Sequence, residues 1–281
     1  MAPRSPVTAP PAQPPRYGLL VALGSSTGTV RWEGGVDWKP EQCGASGISL
    51  DDCGSYEADA LSNQENAEAD PWVVYAQAGC STFGFAARDF GAEARRQLEA
   101  TRSYQIAHEL WRGDLNSATG KLVDGDPVTD EPSSIKVALG YLEAALASCA
   151  QGRRVAIHMS PQALIHAVGQ YLLERDNSGQ WVTPLGSLVI ADAGYDGSDV
   201  DGELPGDSQW MWGSTMPQVL LSPVDVNPPD IDSAREVQVA AMDRSTNDVL
   251  VTAQQLALVQ YDPCCLFGAE LDIATDPTTV S

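Results

Sequence analysis

The sequence EARRQLEATRSYQIAHELWRGD, at residues 93–114, carries the strongest helix signal in the chain. Helix-forming residues dominate it and neither Gly nor Pro occurs before Gly113, so it predicts a helix over Glu93–Arg112 that is about 30 Å long and ends at Gly113. Side chains at helical spacing mark one face of this helix for packing. They are Ala94, Leu98, Thr101, Tyr104, Ala107, Leu110 and Trp111.

The residues that follow predict two more helices with a short strand between them. Segment 134–150 predicts the first helix, with a serine available as its N-cap, and a strand is predicted at 154–158. The pair Ser160-Pro161 supplies an N-cap and a proline at the first helical position, which predicts the second helix to about Leu173. Further strands are predicted at 187–191, 209–212, 219–221, 249–261 and 264–271, and the acidic, Gly-rich segment 192–207 is predicted as a solvated loop.

The amino-terminal residues have little capacity to form a core. Residues 1–16 are rich in proline and poor in large apolar groups, so we expect an arm that lies against another surface, such as a neighbouring subunit. The apolar run at 17–23 is strand-like, and it is too short and lacks the A-x-A cleavage pattern of a signal peptide.

Residues 17–86 are strand-like and loop-rich, and they predict an extended two-stranded ribbon. A Gly-Gly turn lies between β-forming residues at 29–38, and 72–85 is rich in β-forming residues. A ribbon of this kind has little core of its own and gains stability by packing on another surface. We therefore expect its aromatic side chains to contact neighbouring subunits, and they are Trp32, Trp38, Trp72 and Tyr75.

The composition is globular and strongly acidic. The formal net charge of −22 arises from 38 Asp and Glu against 16 Lys and Arg, so the chain repels phosphate backbones and is not expected to bind nucleic acid by sequence. No apolar stretch reaches the roughly 20 residues that cross a bilayer. The six cysteines form no C-x-x-C motif, which favours reduced, partly buried thiols made in a cytosol.

Motifs for catalysis and metal binding are weak. The three histidines are interpreted as ordinary packed or surface residues, and no G-x-S-x-G motif accompanies them. The run at 24–29 lacks the lysine of a phosphate-binding loop, and the acids around Gly202 do not follow the calcium-binding pattern of an EF-hand. We expect no catalytic residue, no cofactor and no metal site.

The order of these segments resembles the Hong Kong 97 fold, which tailed phages and encapsulin nanocompartments share. HELWRGDLNSATG is similar to the end of the family's long spine helix, and AIHMSPQALIHAVGQYLLERDNSGQW is similar to its strand and following helix. PLGSLVIADAG resembles a later strand of the family, and TNDVLVTAQQLALVQYDPCCLFGAEL resembles the closing strand pair. The matches cover about 87–273 well and 17–86 loosely. The sequence of the amino-terminal half also resembles those of capsid proteins of actinobacteriophages.

This resemblance implies an α+β fold with four parts. They are an N-terminal arm at 1–27, an extended loop at 28–86, a peripheral domain at 87–151 and 243–281, and an axial domain at 152–242. It implies a major capsid protein that assembles in the host cytoplasm, as hexamers and pentamers, into an icosahedral virion shell around double-stranded DNA. Scaffold, portal and decoration proteins would be separate partners, and no membrane is involved.

Some members of this fold crosslink their subunits through a lysine, an asparagine and an assisting glutamate. Lys39 and Asn247 would be the first two here, but the run 249–261 contains no acid and Ala253 stands where the glutamate would fall. We therefore expect no covalent crosslinks. The alternatives that remain open are an encapsulin-like shell, a minor virion or connector protein, and an acidic enzyme using a pair such as Asp192 and Asp196.

Overall fold

The protein is represented by a computed structural model that describes residues 15–28, 31–40, 66–81, 89–115, 120–129, 131–199, 208–227, 242–243 and 248–273. The chain forms two compact units. The described residues of the first unit fall in 15–16, 74–102 and 224–255, and those of the second fall in 17–73, 103–223 and 256–273.

The helices and strands have the following bounds. The helices are α1 (Leu19–Leu23), α2 (Phe90–Arg112), α3 (Ile135–Ala150) and α4 (Pro161–Gly169). The strands are β1 (Val36–Trp38), β2 (Ala67–Ala69), β3 (Trp72–Ser81), β4 (Asp126–Pro127), β5 (Val155–Met159), β6 (Glu174–Arg175), β7 (Trp181–Val182), β8 (Leu188–Ala191), β9 (Ser208–Thr215), β10 (Gln218–Leu221), β11 (Asp225–Asn227), β12 (Met242–Asp243), β13 (Asp248–Gln260) and β14 (Phe267–Asp272).

The predicted long helix is confirmed as α2, which begins three residues earlier than expected at Phe90. Oδ1 of Asp89 accepts a 2.9 Å hydrogen bond from the backbone N–H of Ala92, which caps the first turn. At the other end Gly113 has a φ of 62°, a left-handed conformation that favours glycine and ends the helix. The predicted packing face was wrong at Thr101 and Tyr104, which are exposed, because the buried positions 103 and 106 replace them.

The second unit is built on a mixed sheet with helices on both faces. Among the described residues this sheet has seven strands in the order β4-β14-β9-β5-β8-β7-β6. Alternate side chains of β5, such as Ile157 and Met159, pack against α3 and α4. On the opposite face Trp212 of β9 lies edge-on to Trp111 of α2, with ring centroids 6.5 Å apart. The sheet is therefore buried on both sides.

The fourth helix follows the capping signal in the sequence, whereas Ser134 stands at the N-cap of α3 without a side-chain hydrogen bond to that helix. Ser160 accepts a 3.1 Å hydrogen bond from the backbone N–H of Ala163, and Pro161 occupies the first helical position of α4, as predicted. However, α4 ends at Gly169 rather than at Leu173, since the chain turns there toward β6. The predicted strands at 154–158, 187–191 and 249–261 correspond to β5, β8 and β13.

The first unit combines strands with the first part of α2. In this unit β13 pairs with β11 and β12, and β3 also pairs with β13. Val74, Val226 and Ala253 are buried, and Nη1 of Arg102 donates a 3.3 Å hydrogen bond to Oε1 of Gln255. The last part of β13 belongs to the second unit, where it pairs with β10.

Two segments differ from the sequence-based expectations. The run at 17–23 was expected to be strand-like, but Leu19–Leu23 forms the helix α1, and Leu19 is buried. The base of the predicted ribbon, formed by β1 and β2, packs on a cluster within its own chain, so it does not depend on a neighbour there. Residues 41–65, which would form the tip of the ribbon, lie outside the described residues.

Candidate functional site

Trp32, one of the four aromatic residues expected at subunit contacts, is buried within its own chain. Its side chain is only 1% exposed. Its Nε1 donates a 2.9 Å hydrogen bond to the carbonyl oxygen of Thr27. Its apolar neighbours form a small cluster made of Ala69, Leu220 and Leu258, with Val36, Trp38 and Leu256 at the edge. The indole therefore has almost no surface left for another subunit.

Trp38 lies at the edge of the same cluster and is half-buried. Its Nε1 donates a 2.7 Å hydrogen bond to Oδ1 of Asp262, just after β13. Beside this contact is an open cleft of about 330 Å³, which Lys39 lines together with Tyr261, Asp262, Met216, Gln218 and Gln260. The remaining face of the Trp38 indole is thus accessible.

Trp72 and Tyr75 lie on opposite faces of β3, as the alternation of strand side chains requires. Trp72 is 6% exposed, and its Nε1 has no hydrogen-bond partner among the described residues. Tyr75 is 55% exposed. The assignment of these four aromatic residues to contacts between subunits stays a prediction, and most of the surface that a neighbour could touch belongs to Trp38 and Tyr75.

The residues considered for a crosslink are only partly described. Lys39 lies at the cleft beside Trp38, whereas Asn247 lies outside the described residues. Ala253, which was expected where the assisting acid would fall, is fully buried and is paired with Val226 of β11. The absence of crosslinks stays a prediction.

His158 forms a sealed polar network on the sheet face that α2 covers. The hydroxyl of Ser214 donates a 2.8 Å hydrogen bond to the carbonyl oxygen of Thr215, so it accepts from Nε2 of His158 at 3.0 Å. Nδ1 of the ring then accepts from the hydroxyl of Tyr195 at 2.9 Å. Burial lowers the pKa of His158 to about 3 and raises that of Tyr195, so both side chains are neutral at ordinary pH.

This network pairs a serine with a histidine, but His158 and Ser214 are both fully buried. A substrate has no path to the serine hydroxyl, which is already committed as a donor to the backbone. The network therefore links β5, β9 and the segment after β8, and the expectation that His158 is an ordinary packed residue agrees with this geometry. No local sequence signal indicates this network, because the partners of His158 are 37 and 56 residues away.

The acidic loop begins as a buried anchor, which corrects the prediction of a solvated loop over 192–207. Asp192 is buried, and its Oδ2 accepts hydrogen bonds from the backbone N–H of Leu19 at 2.8 Å and from the hydroxyl of Ser103 at 2.9 Å. Asp196 forms a 2.8 Å ion pair with Nε of Arg112. These carboxylates are used in packing and do not form the exposed pair of an acidic enzyme. Residues 200–207 lie outside the described residues.

A disulfide joins Cys149 near the end of α3 to Cys265 in the turn before β14. The expectation of reduced thiols was wrong for this pair. The two cysteines are 116 residues apart, so no motif spacing could have indicated the bond. The turn Pro263–Cys265 is a short 3₁₀ helix, and β14 begins two residues after it, at Phe267.

Comparisons with solved structures identify the fold. A chain from the capsid of a native GTA particle, computed with C5 symmetry, matches with a TM-score of 0.56 and 12% identity over 96% of this chain and 95% of that one. Chains from Gordonia phage Cozz and Mycobacterium phage Ogopogo match with TM-scores of 0.54 and 0.53 and identities of 13% and 10%. They cover 96% of this chain in both cases, and 91% and 96% of their own lengths. No protein-family model and no curated protein sequence matches the chain.

The chain is thus an α+β protein with the fold of phage capsid structures, as the sequence predicted. The likeness extends over nearly the whole length of both molecules in each comparison. With identities near one residue in eight, what the likeness establishes is the arrangement of helices and strands.

Proposed function

We propose that this chain is a major capsid protein of the Hong Kong 97 fold that assembles into a closed icosahedral shell. The observation that carries the proposal is the match, at a TM-score of 0.56, to a chain of the capsid of a native GTA particle. A molecule that shares a fold from end to end with a shell subunit has the parts from which such a shell is made. The role is structural, and the buried Ser214–His158 pair takes no part in catalysis.

The proposed layout assigns 1–27 to an arm, 28–86 to an extended loop, 87–151 and 243–281 to a peripheral domain, and 152–242 to an axial domain. The long helix α2 and the strand β13 support the proposed peripheral domain, and α4 between β5 and β6 supports the proposed axial domain. Trp38 and Tyr75 are proposed as contacts of the extended loop, because both keep accessible surface.

Charge supports an enclosing role rather than a binding role. A chain of net charge −22 repels DNA, so double-stranded DNA packed inside such a shell would not adhere to its wall. Among the described helices, none is long and apolar enough to cross a membrane. We place the protein in the virion, after assembly in the host cytoplasm with separate scaffold, portal and decoration proteins.

Electron microscopy of the purified full-length chain tests the proposal. We expect closed shells in negative stain, built from pentamers and hexamers. Rings or tubes would favour a connector, and monomers at all concentrations would refute self-assembly. Shells that protect DNA from nuclease in virions would support a phage capsid, whereas shells filled with an enzyme would support a nanocompartment.

A further inference from the structure

Tyr171 occupies a backbone position that ordinarily favours glycine. The N–H of Leu172 bonds to the carbonyl of Ala167 at 3.0 Å, and the N–H of Tyr171 bonds to that of Val168 at 3.1 Å. This pair of hydrogen bonds defines a Schellman motif at the end of α4, with Tyr171 at the left-handed position and a φ of 58°. The corresponding position after α2 is Gly113. A bulky residue in this conformation is strained.

The side chain of Tyr171 does not compensate for this strain within the chain. It is 92% exposed, the largest exposure of any large apolar or aromatic side chain in the described residues. The ring makes almost no contacts within this chain, although its backbone is strained. Such a residue is expected where the ring contacts another molecule.

Leu185 is also presented to solvent, on a turn that is held rigidly. It is 75% exposed, in the turn between β7 and β8. The hydroxyls at both ends of this turn, on Thr183 and Ser187, donate hydrogen bonds to the buried carboxylate of Glu143 on α3. The N–H of Thr183 also bonds to the carbonyl of Ser187 at 3.0 Å. A side chain fixed in this way loses little conformational entropy when it is covered.

The sheet register brings these two side chains to the same end of the strands. Glu174, the first residue of β6, pairs with Val182, the last residue of β7, and Val182 pairs with Leu188, the first residue of β8. Tyr171 comes three residues before Glu174 in the chain. Leu185 lies in the turn that joins Val182 to Leu188. Tyr171 and Leu185 therefore both lie just beyond the same end of the strands β6, β7 and β8.

The segments that form this end carry little net charge, although the chain has a net charge of −22. Within residues 155–191 the Asp, Glu, Lys and Arg side chains are Glu174, Arg175 and Asp176, whose charges sum to −1, and Glu174 lies at the strand end itself. Two copies of a strongly acidic protein repel each other over most of their surfaces, and the repulsion is weakest where charges are absent. A rigid end of low net charge that presents two exposed apolar side chains is suited to contact with a second acidic copy of the same chain.

We propose that Tyr171 and Leu185 are the apolar contact residues of an interface with a second copy of this chain. The proposal rests on the proposed function and names one of the surfaces through which the subunits meet. The strained backbone at Tyr171 is then retained because the ring stabilises the assembled state. The rigid turn between β7 and β8 presents Leu185 in the conformation that the neighbouring copy binds.

The test uses Tyr171→Gly in the full-length chain, because glycine relieves the strained conformation while it removes the ring. We expect the melting temperature of the unassembled chain to stay unchanged or to rise. We also expect the concentration at which half of the chain is assembled to increase at least about tenfold, measured by light scattering and analytical ultracentrifugation. Leu185→Ser should weaken assembly similarly without lowering the melting temperature.

Gln151→Gly is the matched control. Gln151 is the other non-glycine residue in the left-handed region among the described residues, with a φ of 53° at the end of α3. The substitution relieves the same kind of strain without removing an apolar ring, so assembly should match that of the wild type. A loss of assembly in this control would show that relaxed helix ends, rather than a missing contact, cause the effect.

The outcomes separate this inference from the proposed function. If the wild type forms shells and Tyr171→Gly forms them at the same concentration, the interface is refuted and the capsid role stands. If the variant assembles normally but fails to recruit another virion protein, the partner is not a second copy, and the proposal is again wrong. If the wild type never assembles, both proposals fail.

Discussion

Acid should destabilise the second unit through His158, and the size of the effect follows from its burial. The pKa of His158 is lowered from 6.5 to about 3, because burial disfavours the charged ring. Between these values the unfolded chain binds a proton that the folded chain does not, so the free energy of unfolding falls as the pH falls from 6.5 toward 3. At about 1.4 kcal/mol per pH unit, the whole window corresponds to roughly 5 kcal/mol. Above pH 6.5 this group adds no pH dependence.

The variant His158→Gln isolates this contribution. At about pH 7.5 it should be less stable than the wild type by about 1–3 kcal/mol, because the hydroxyl of Tyr195 loses its acceptor. At about pH 4.5 the difference should shrink by about 3 kcal/mol, because only the wild type carries the histidine penalty. Urea unfolding of the unassembled chain, followed by tryptophan fluorescence, measures both values.

His166→Gln on α4 is the control for this prediction, and it should keep the wild-type pH dependence because His158 is retained. The reasoning would be refuted if His158→Gln and the wild type lost stability in parallel between the two pH values. A parallel loss would mean that His158 is already protonated in the folded chain, or that other groups account for all of the acid sensitivity.

Two further predictions concern the core of the second unit. The double variant Cys149→Ser, Cys265→Ser should unfold with about 4 kcal/mol less free energy under non-reducing conditions, since the disulfide links residues 116 apart; equal denaturation midpoints would contradict this. Gly268→Ala should cost about 1–3 kcal/mol, because a Cβ there overlaps the indole of Trp212. Gly140→Ala on α3, where a Cβ meets nothing within 4 Å, should instead stabilise by about 0.5–1 kcal/mol, and a similar response of both glycines would refute the packing argument.

The elements that sequence analysis predicted correctly are those specified by local signals. The long helix α2 has an uninterrupted run of helix formers and a glycine at its end, and α4 has Ser160 and Pro161 at its start. These interactions connect residues within one helical turn, so they can be inferred from residues that are close together in the sequence. The order of such elements was enough to predict the fold.

The elements that were missed depend on contacts between distant residues. Residues 17–23 form a helix whose first N–H is bound by Asp192, which is 173 residues away, and nothing local distinguishes that run from a strand. The same contact explains why Asp192 is buried although it begins an acidic segment. The Cys149–Cys265 pair is also a long-range contact. Burial of Trp32 and Trp72 likewise follows from which strands meet, and local composition does not specify it.

The proposed assembly would depend on residues other than those that stabilise the fold of this chain. Three buried polar side chains have all of their cited hydrogen-bond partners within the second unit, and they are Glu143, His158 and Asp192. The cost of removing them from water is therefore compensated within the single chain. Tyr171 and Leu185 are the opposite case, because one is strained, both are exposed, and folding of the chain covers neither. Substitutions at the buried network should therefore change unfolding more than association, and those at 171 and 185 should change association alone. If the two kinds of substitution had the same effect on both measurements, the exposed pair would have no role beyond the fold.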